Sequence, residues 1–355
     1  MKIVFLTFFS EKDLQIQINK LRSLNHEVIF YDCHFDKSEE FRFKTRHFQM
    51  YENVLNFTQK EKADILYLHD YLNVPEFLLH ELKVRPEFTP KIVFSMQLRE
   101  VNRSLARANT IKELLDMPQL ARAMTFSMGL TDYSYPKTMI DVGTNFNKIK
   151  NLGEPFNENP NFNITKEEAR RKFGIPQNAF VILWSGRWVY SKGPDIFLEA
   201  IKKMDKDIFI FAHSNPSESD YSGELLTQWF KRFYLNSKVI SQLFKRDEMK
   251  YVYCAANLAI CSHRKIYEYA QSGIPGMAAL AKIPIIAPDF NYFNEIIKRY
   301  KVGIIYTPED PIALAHAINN AKINYNKIVE QAQFEKSLEG YINFEDIPVL
   351  ALEGI

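Results

Sequence analysis

Twice along the chain, short apolar runs alternate with stretches of helical period, and that alternation restricts the fold more than anything else in the sequence. In the first half, residues 2–9 read as a buried strand. Leu14, Ile18 and Leu21 then share one helical face, and residues 26–31 read as a second strand. Strand, helix and strand in that order make a parallel pair, because a parallel return needs a crossover. Further strands are expected at 63–68 and 91–95. Over the aromatic and basic stretch that begins at Phe41, a short strand should lead into a helix ending near Lys60. From Phe180 the pattern starts again, with strands at 180–184, 207–212, 239–244, 258–261, 283–287 and 303–306 separated by helices. The fold class is therefore α/β, built as two successive doubly wound domains.

Residues 145–163 interrupt the pattern with seven Asn and two Pro and little periodicity, so 151–164 is the expected linker. The first domain would then be 1–150 and the second 165–337. Thr165, followed three residues later by Glu168, has the form of a helix cap, and Gly174 should end that helix. A chain of 355 residues has room for two such cores. Its net charge of +2 demands no nucleic acid partner. Three cysteines, odd in number and set in or beside apolar runs, show no zinc-site spacing and suit a reducing compartment. No run is long and apolar enough to span a membrane, and the first ten residues are too short for a signal peptide. A cytoplasmic, metal-free protein is expected.

The most informative stretch is 181–200, V-I-L-W-S-G-R-W-V-Y-S-K-G-P-D-I-F-L-E-A. A buried strand ends at Gly186, where the chain can turn tightly. Pro194 suits the first position of a helix, and Asp195 suits its positive end. Arg187 and Lys192 therefore sit beyond the carboxyl end of a strand, where open α/β sheets bind ligands. The pair reads either as solvated loop charge or as an anion site beside a helix start, with a diphosphate as its guest. Further along, Ser272-Gly273-Ile274-Pro275-Gly276 places two glycines around a proline just before a helix, where backbone N–H groups can face a phosphate. Arg99, Arg103 and Arg107 recur every four residues, as either a solvated helix face or a surface for an anionic acceptor.

These residues resemble the donor-binding domain of GT-B glycosyltransferases, above all the retaining family 4. Gly186-Arg187 to Lys192-Gly193 matches that family's G-R…K-G signature. The run from Asp247-Glu248-Met249 to Ser262, and the tail from Ile283-Pro284 through Glu295-Ile296-Ile297 to Gly303, are similar to its later motifs. The Ser272-Gly273 loop also resembles that of the lipid-intermediate GlcNAc transferase of peptidoglycan synthesis.

The likeness implies two Rossmann-like domains facing across a cleft. The first would be acceptor-side, with 338–355 returning to it, and the second would bind the donor. It implies transfer of a sugar from a nucleotide-diphosphate donor, such as a UDP- or GDP-sugar, without metal or other cofactor. The acceptor would be a glycan or lipid-linked molecule, reached in the cytoplasm or at the inner face of the membrane. Arg187 and Lys192 would grip the diphosphate. Gly186, His213, Phe244, His263, Glu268, Ser272, Gly273 and Gly276 would complete the donor site.

The sequence also departs from the pattern. The family's pair of glutamates is broken: aligned back from Pro284, Met277 stands in the second slot, and aligned instead on Lys265-Ile266-Tyr267-Glu268-Tyr269, Glu268 is the surviving acid; either way one glutamate is missing. Gln97 replaces the usual histidine after the 91–95 strand and cannot act as a base. That leaves His69 as the candidate ionisable group of the first domain. With a catalytic set so reduced, a nucleotide-sugar-binding or scaffold protein and a sugar-nucleotide 2-epimerase are the alternatives.

Overall fold

The computed structural model describes residues 1–7, 11–32, 43–71, 75–96, 98, 101, 104–126, 135–156, 162–215, 225, 228–230, 232, 234, 236–269 and 272–355. The chain divides into two compact units: Met1–Glu158 with Tyr341–Ile355, and Asn159–Gly340.

The first unit holds a six-stranded parallel sheet of β1 (Lys2–Thr7), β2 (Glu27–Asp32), β3 (Ile65–Tyr71), β4 (Lys91–Ser95), β5 (Leu120–Phe126) and β6 (Ile149–Leu152). Their order is β2-β1-β3-β4-β5-β6. Ile3, Val4 and Phe5 are wholly buried, as are Leu66, Tyr67, Val93 and Phe94. Burial on both faces is why these strands read as continuous apolar runs rather than alternating ones. The chain end packs onto this core through Ile347, Ala351 and Leu352. Gln17 Nε2 donates to the Phe344 carbonyl at 2.8 Å, and Arg122 Nη1 donates to the Ala351 carbonyl at 2.7 Å.

One expectation is corrected in this unit. Residues 43–60 form one helix, Phe43–Lys60, with no strand in its described part. Among its described side chains the buried ones are Met50, Tyr51, Val54, Leu55 and Thr58, a helical and not an alternating spacing. The expected linker also carries strand structure. β6 pairs with β5 from Ala123↔Ile149 to Phe126↔Leu152, and β7 (Glu154–Phe156) runs parallel to Tyr341–Asn343.

The second unit repeats the plan with β8 (Phe180–Arg187), β9 (Ile208–Asn215), β10 (Ser237–Ser241), β11 (Leu258–Ile260), β12 (Ile285–Pro288) and β13 (Gly303–Tyr306), in the order β10-β9-β8-β11-β12-β13. The order reverses direction between β8 and β11, so the carboxyl ends of these two neighbours define the topological switch point. Helix ends follow local chemistry. Thr165 Oγ1 accepts from the Glu168 N–H at 3.1 Å, Gly174 closes that helix at φ 66°, and Asp310 Oδ1 caps Pro311–Ile323 through the amides of Ile312 and Ala313. β10 ends at Ser241, short of the expected 244, although the ladder to β9 carries one bond further. The Gln242 N–H donates to the Ser214 carbonyl at 3.0 Å.

Candidate functional site

β8 ends at Arg187, and the chain then makes a 3-10 turn, Tyr190–Lys192, before the helix Pro194–Ala200. Two glycines make this path possible. Gly186 has φ 137°, and a Cβ built on it would lie 3.0 Å from Lys192 Nζ, so the lysine's ammonium group folds back over the strand end. Gly193 has φ 60°, and a Cβ there would lie 2.1 Å from the Ser262 carbonyl oxygen, so the loop after β8 passes directly against the end of β11.

Ser262 fastens this approach. Its hydroxyl accepts from Trp184 Nε1 at 2.8 Å and donates to the Lys192 carbonyl at 2.9 Å. Trp184 is 2% exposed, so the indole N–H is satisfied inside the core by the residue that positions the loop. The sequence offered Ser262 only as the end of a motif; its role rests on contacts 70 and 78 residues apart.

Arg187 is exposed, while Lys192 is half-buried beside it. Burial, and next the like charge of Arg187, pull the Lys192 ammonium down from its usual 10.5 to about 8. The folded protein thus binds fewer protons than the unfolded chain between about pH 8 and 10.5. Stability rises with pH across that window, and below pH 8 the cost of holding the charge is felt in full. Lys192→Met is therefore expected to melt about 2–4 °C higher than the wild-type protein at pH 7 in the absence of ligand. That difference should shrink towards pH 10. Paired melting curves at pH 7, 8.5 and 10 check it, and a variant that melts lower at pH 7 would contradict it.

Three expected donor residues gather at the neighbouring strand ends with roles the sequence did not show. His213 is 3% exposed, and both its ring nitrogens are used within the fold. Nε2 donates to the Gln242 carbonyl at 3.0 Å, and Nδ1 accepts from the Ser185 hydroxyl at 2.9 Å. Burial holds its pKa below the ordinary value. His213 is thus a pin between β8 and the segment after β10, not a free donor ligand. Phe244 lies over that imidazole at 5.1 Å and edge-on to Phe173 at 5.9 Å.

His263 is 1% exposed and packs against Tyr267 and Phe293. Burial and the Lys192 charge push its pKa well down, so it offers a neutral imidazole and no cation for a phosphate.

Glu268 follows the 3-10 turn Lys265–Tyr267, half-buried, with burial raising its carboxyl and Lys265 opposing the shift. Ser272 is buried and Gly273 caps the helix Ile274–Leu280. Pro275 and Gly276 lie inside that helix and not before it, which corrects the expected loop. Pro275 has no N–H, and the Met277 amide donates to the Gly273 carbonyl at 3.1 Å. The first-turn amides without an intrahelical acceptor are therefore those of Ile274 and Gly276.

In the first unit, His69 lies near the end of β3, stacked on Phe5 at 5.4 Å and edge-on to Phe344 at 6.1 Å. Burial lowers its pKa to about 4, so at neutral pH it is an uncharged imidazole. Gln97, Arg99 and Arg103 lie outside the described residues. Arg107 stands on the helix Leu105–Asp116, with Nε 3.8 Å from a Glu76 carboxylate oxygen.

Two doubly wound parallel units in succession are the GT-B fold. The profile of the family Glycosyl transferases group 1 matches residues 165–334, a little under half of the chain. Solved structures agree over the whole chain. Sucrose-phosphate synthase from Thermosynechococcus elongatus superposes with a TM-score of 0.73 at 12% identity, covering 99% of this chain and 97% of that one. HepE of Anabaena, solved with UDP and glucose, gives 0.67 at 15%, with 100% of both chains covered. WaaG, a glycosyltransferase involved in lipopolysaccharide biosynthesis, gives 0.64 at 15%, covering 99% and 100%. No curated protein matches the sequence. Among the described residues, no helix is long and apolar enough to cross a membrane.

Proposed function

We propose that the protein transfers a glycosyl group from a nucleotide-diphosphate-sugar to an acceptor hydroxyl, with Arg187 and Lys192 as the diphosphate ligands. The observation that carries this reading is the lodging of Lys192 over Gly186, beside Arg187, at the switch point of the second sheet. Two cations there meet the charge that grows on the departing diphosphate as the bond between C1 and its oxygen breaks. The electron pair leaves with that oxygen, the acceptor oxygen bonds to C1, and the acceptor proton departs. Cations that supply the neutralising charge make a metal-independent route the natural one, and likeness to family 4 favours retention at C1. HepE has been solved with UDP and with UDP-glucose, which makes UDP the first nucleotide to try.

A ligand that binds only the native state raises its melting temperature, by about 2.7 kcal/mol of stabilisation at a hundredfold excess over Kd. With UDP, GDP and ADP as probes, at least one is expected to raise the transition of the second unit by several degrees. If none does, the donor reading fails. Release of nucleotide from a matching labelled sugar donor then separates the enzyme from a binding protein that has lost turnover. Analysis of the sugar product separates transfer or hydrolysis from 2-epimerisation.

A further inference from the structure

Arg264 has no place in the donor site described above, yet its contacts reach three of the segments around that site. It sits just after β11, with 14% of its side chain exposed. Its backbone N–H donates to the Ser191 carbonyl at 2.9 Å, inside the turn that carries Lys192. Its guanidinium lies 4.1 Å over the ring of Tyr190 and pairs with Asp195 of the following helix. On the other side, Arg264 Nη1 is 4.0 Å from Glu309, a residue of the loop after β13. Glu309 Oε1 in turn accepts from the Lys265 N–H at 3.0 Å. Glu309 adopts φ 60°, a left-handed conformation that a non-glycine residue keeps only where its surroundings hold it.

The contacts thus join three loops, from the carboxyl ends of β8, β11 and β13. One carries Lys192, and the second carries Glu268 a few residues on. The charge of Arg264 is neutralised by Asp195 and Glu309, so it adds little to the field felt by an anion. What it can supply is geometry: a planar fork with a stacking face, which a lysine cannot reproduce.

We propose that Arg264 is a positioning residue of the donor site, latching the turn of Lys192 to the segment of Glu268 so that the cation and the carboxylate are held in register. This rests on the reading of Arg187 and Lys192 as diphosphate ligands. The latch does not touch the nucleotide. It removes the freedom of two loops that must otherwise be ordered at the moment of binding.

The test is UDP binding by titration calorimetry to the full-length chain, at a temperature well below the melting point of each variant. Arg264→Lys keeps the charge and loses the fork, and is expected to weaken UDP about tenfold. A direct ionic ligand would be largely rescued by lysine, so affinity within twofold of the wild-type value overturns the proposal. Asp195→Asn supplies a sign test. Asp195 is an anion beside an anion site, so by charge alone its removal tightens UDP; by loss of the latch it weakens UDP, about three- to tenfold. Tighter binding in Asp195→Asn overturns the latch. The double variant is expected to bind no more weakly than Arg264→Lys alone, because both break one device; additive losses overturn it. Lys192→Ala separates the two readings. If it binds UDP normally, the donor reading is wrong and the latch falls with it. If it is impaired beside a normal Arg264→Lys, only the latch is wrong.

Discussion

Lys192→Ala is expected to lower turnover of the nucleotide-sugar by about 10²–10³-fold, the loss seen when a preorganised charge or donor at a reacting oxygen is removed. Its environment argues for the upper part of that range. The ammonium lies over Gly186, half-buried, where it is screened less by water and salt than a surface charge. Arg187 is exposed at the last position of β8, so Arg187→Ala should cost less, about tenfold, and the cost should fall as salt is raised. Initial rates at low and high ionic strength, with the donor chosen by the melting screen, give both numbers. Circular dichroism of each variant confirms that the fold is kept. If Lys192→Ala retains turnover within fivefold of the wild-type protein, the diphosphate is held elsewhere. Removing a half-buried cation that sits beside Arg187 should also stabilise the ligand-free protein, so loss of activity and gain of stability are expected in the same variant.

The second large effect is expected in Gly193→Ala. The residue lies at φ 60°, which costs an L side chain something on its own, and the added Cβ would sit 2.1 Å from the carbonyl oxygen of Ser262. That oxygen belongs to a backbone held on both sides. The Ser262 hydroxyl is tied to Trp184 and to the Lys192 carbonyl, and the Cys261 carbonyl accepts from the Tyr306 hydroxyl at 3.2 Å. With no flexible side chain to yield, strand end and loop must part. A loss of about 3–5 kcal/mol is expected, lowering the transition of the second unit by on the order of 10 °C. The near-ultraviolet signal of Trp184 should change with it. Thermal denaturation followed by tryptophan fluorescence checks both. A Gly193→Ala protein that melts with the wild type would show that the loop does not press on β11.

How legible the site was depends on how local its causes are. Thr165, Gly174, Pro194 and Asp310 could be placed from the chain alone, because a cap or a first helical turn is decided within four residues. Arg187, Lys192 and the two glycines were legible for the same reason. They follow a strand and precede a helix, and that order puts them at a strand's carboxyl end.

His213 could not be read. Its pinning role needs Ser185 from one strand and Gln242 from beyond another, and only their parallel pairing brings the three together. His263 was expected to complete the donor site, and its burial beside Lys192, invisible in the run Ser262-His263-Arg264-Lys265, is what makes it neutral. Glu309 had no signal at all, since nothing near it in sequence tells that its carboxylate meets the Lys265 amide 44 residues away.

The sequence by itself determined the two α/β halves, many of the strands and helix ends, and the placement of Arg187 and Lys192 at the end of a strand. Hydrophobic period and cap chemistry act over a few residues, so they survive as pattern in one dimension. The tertiary structure decided which strand ends are neighbours, and so which side chains share one site. It also decided how charged each of those groups is. Those outcomes depend on sheet order, on the meeting of loops from β8, β11 and β13, and on the water that packing excludes around Lys192 and His263. Contacts of that kind are set by the packing of distant segments and leave no period to read.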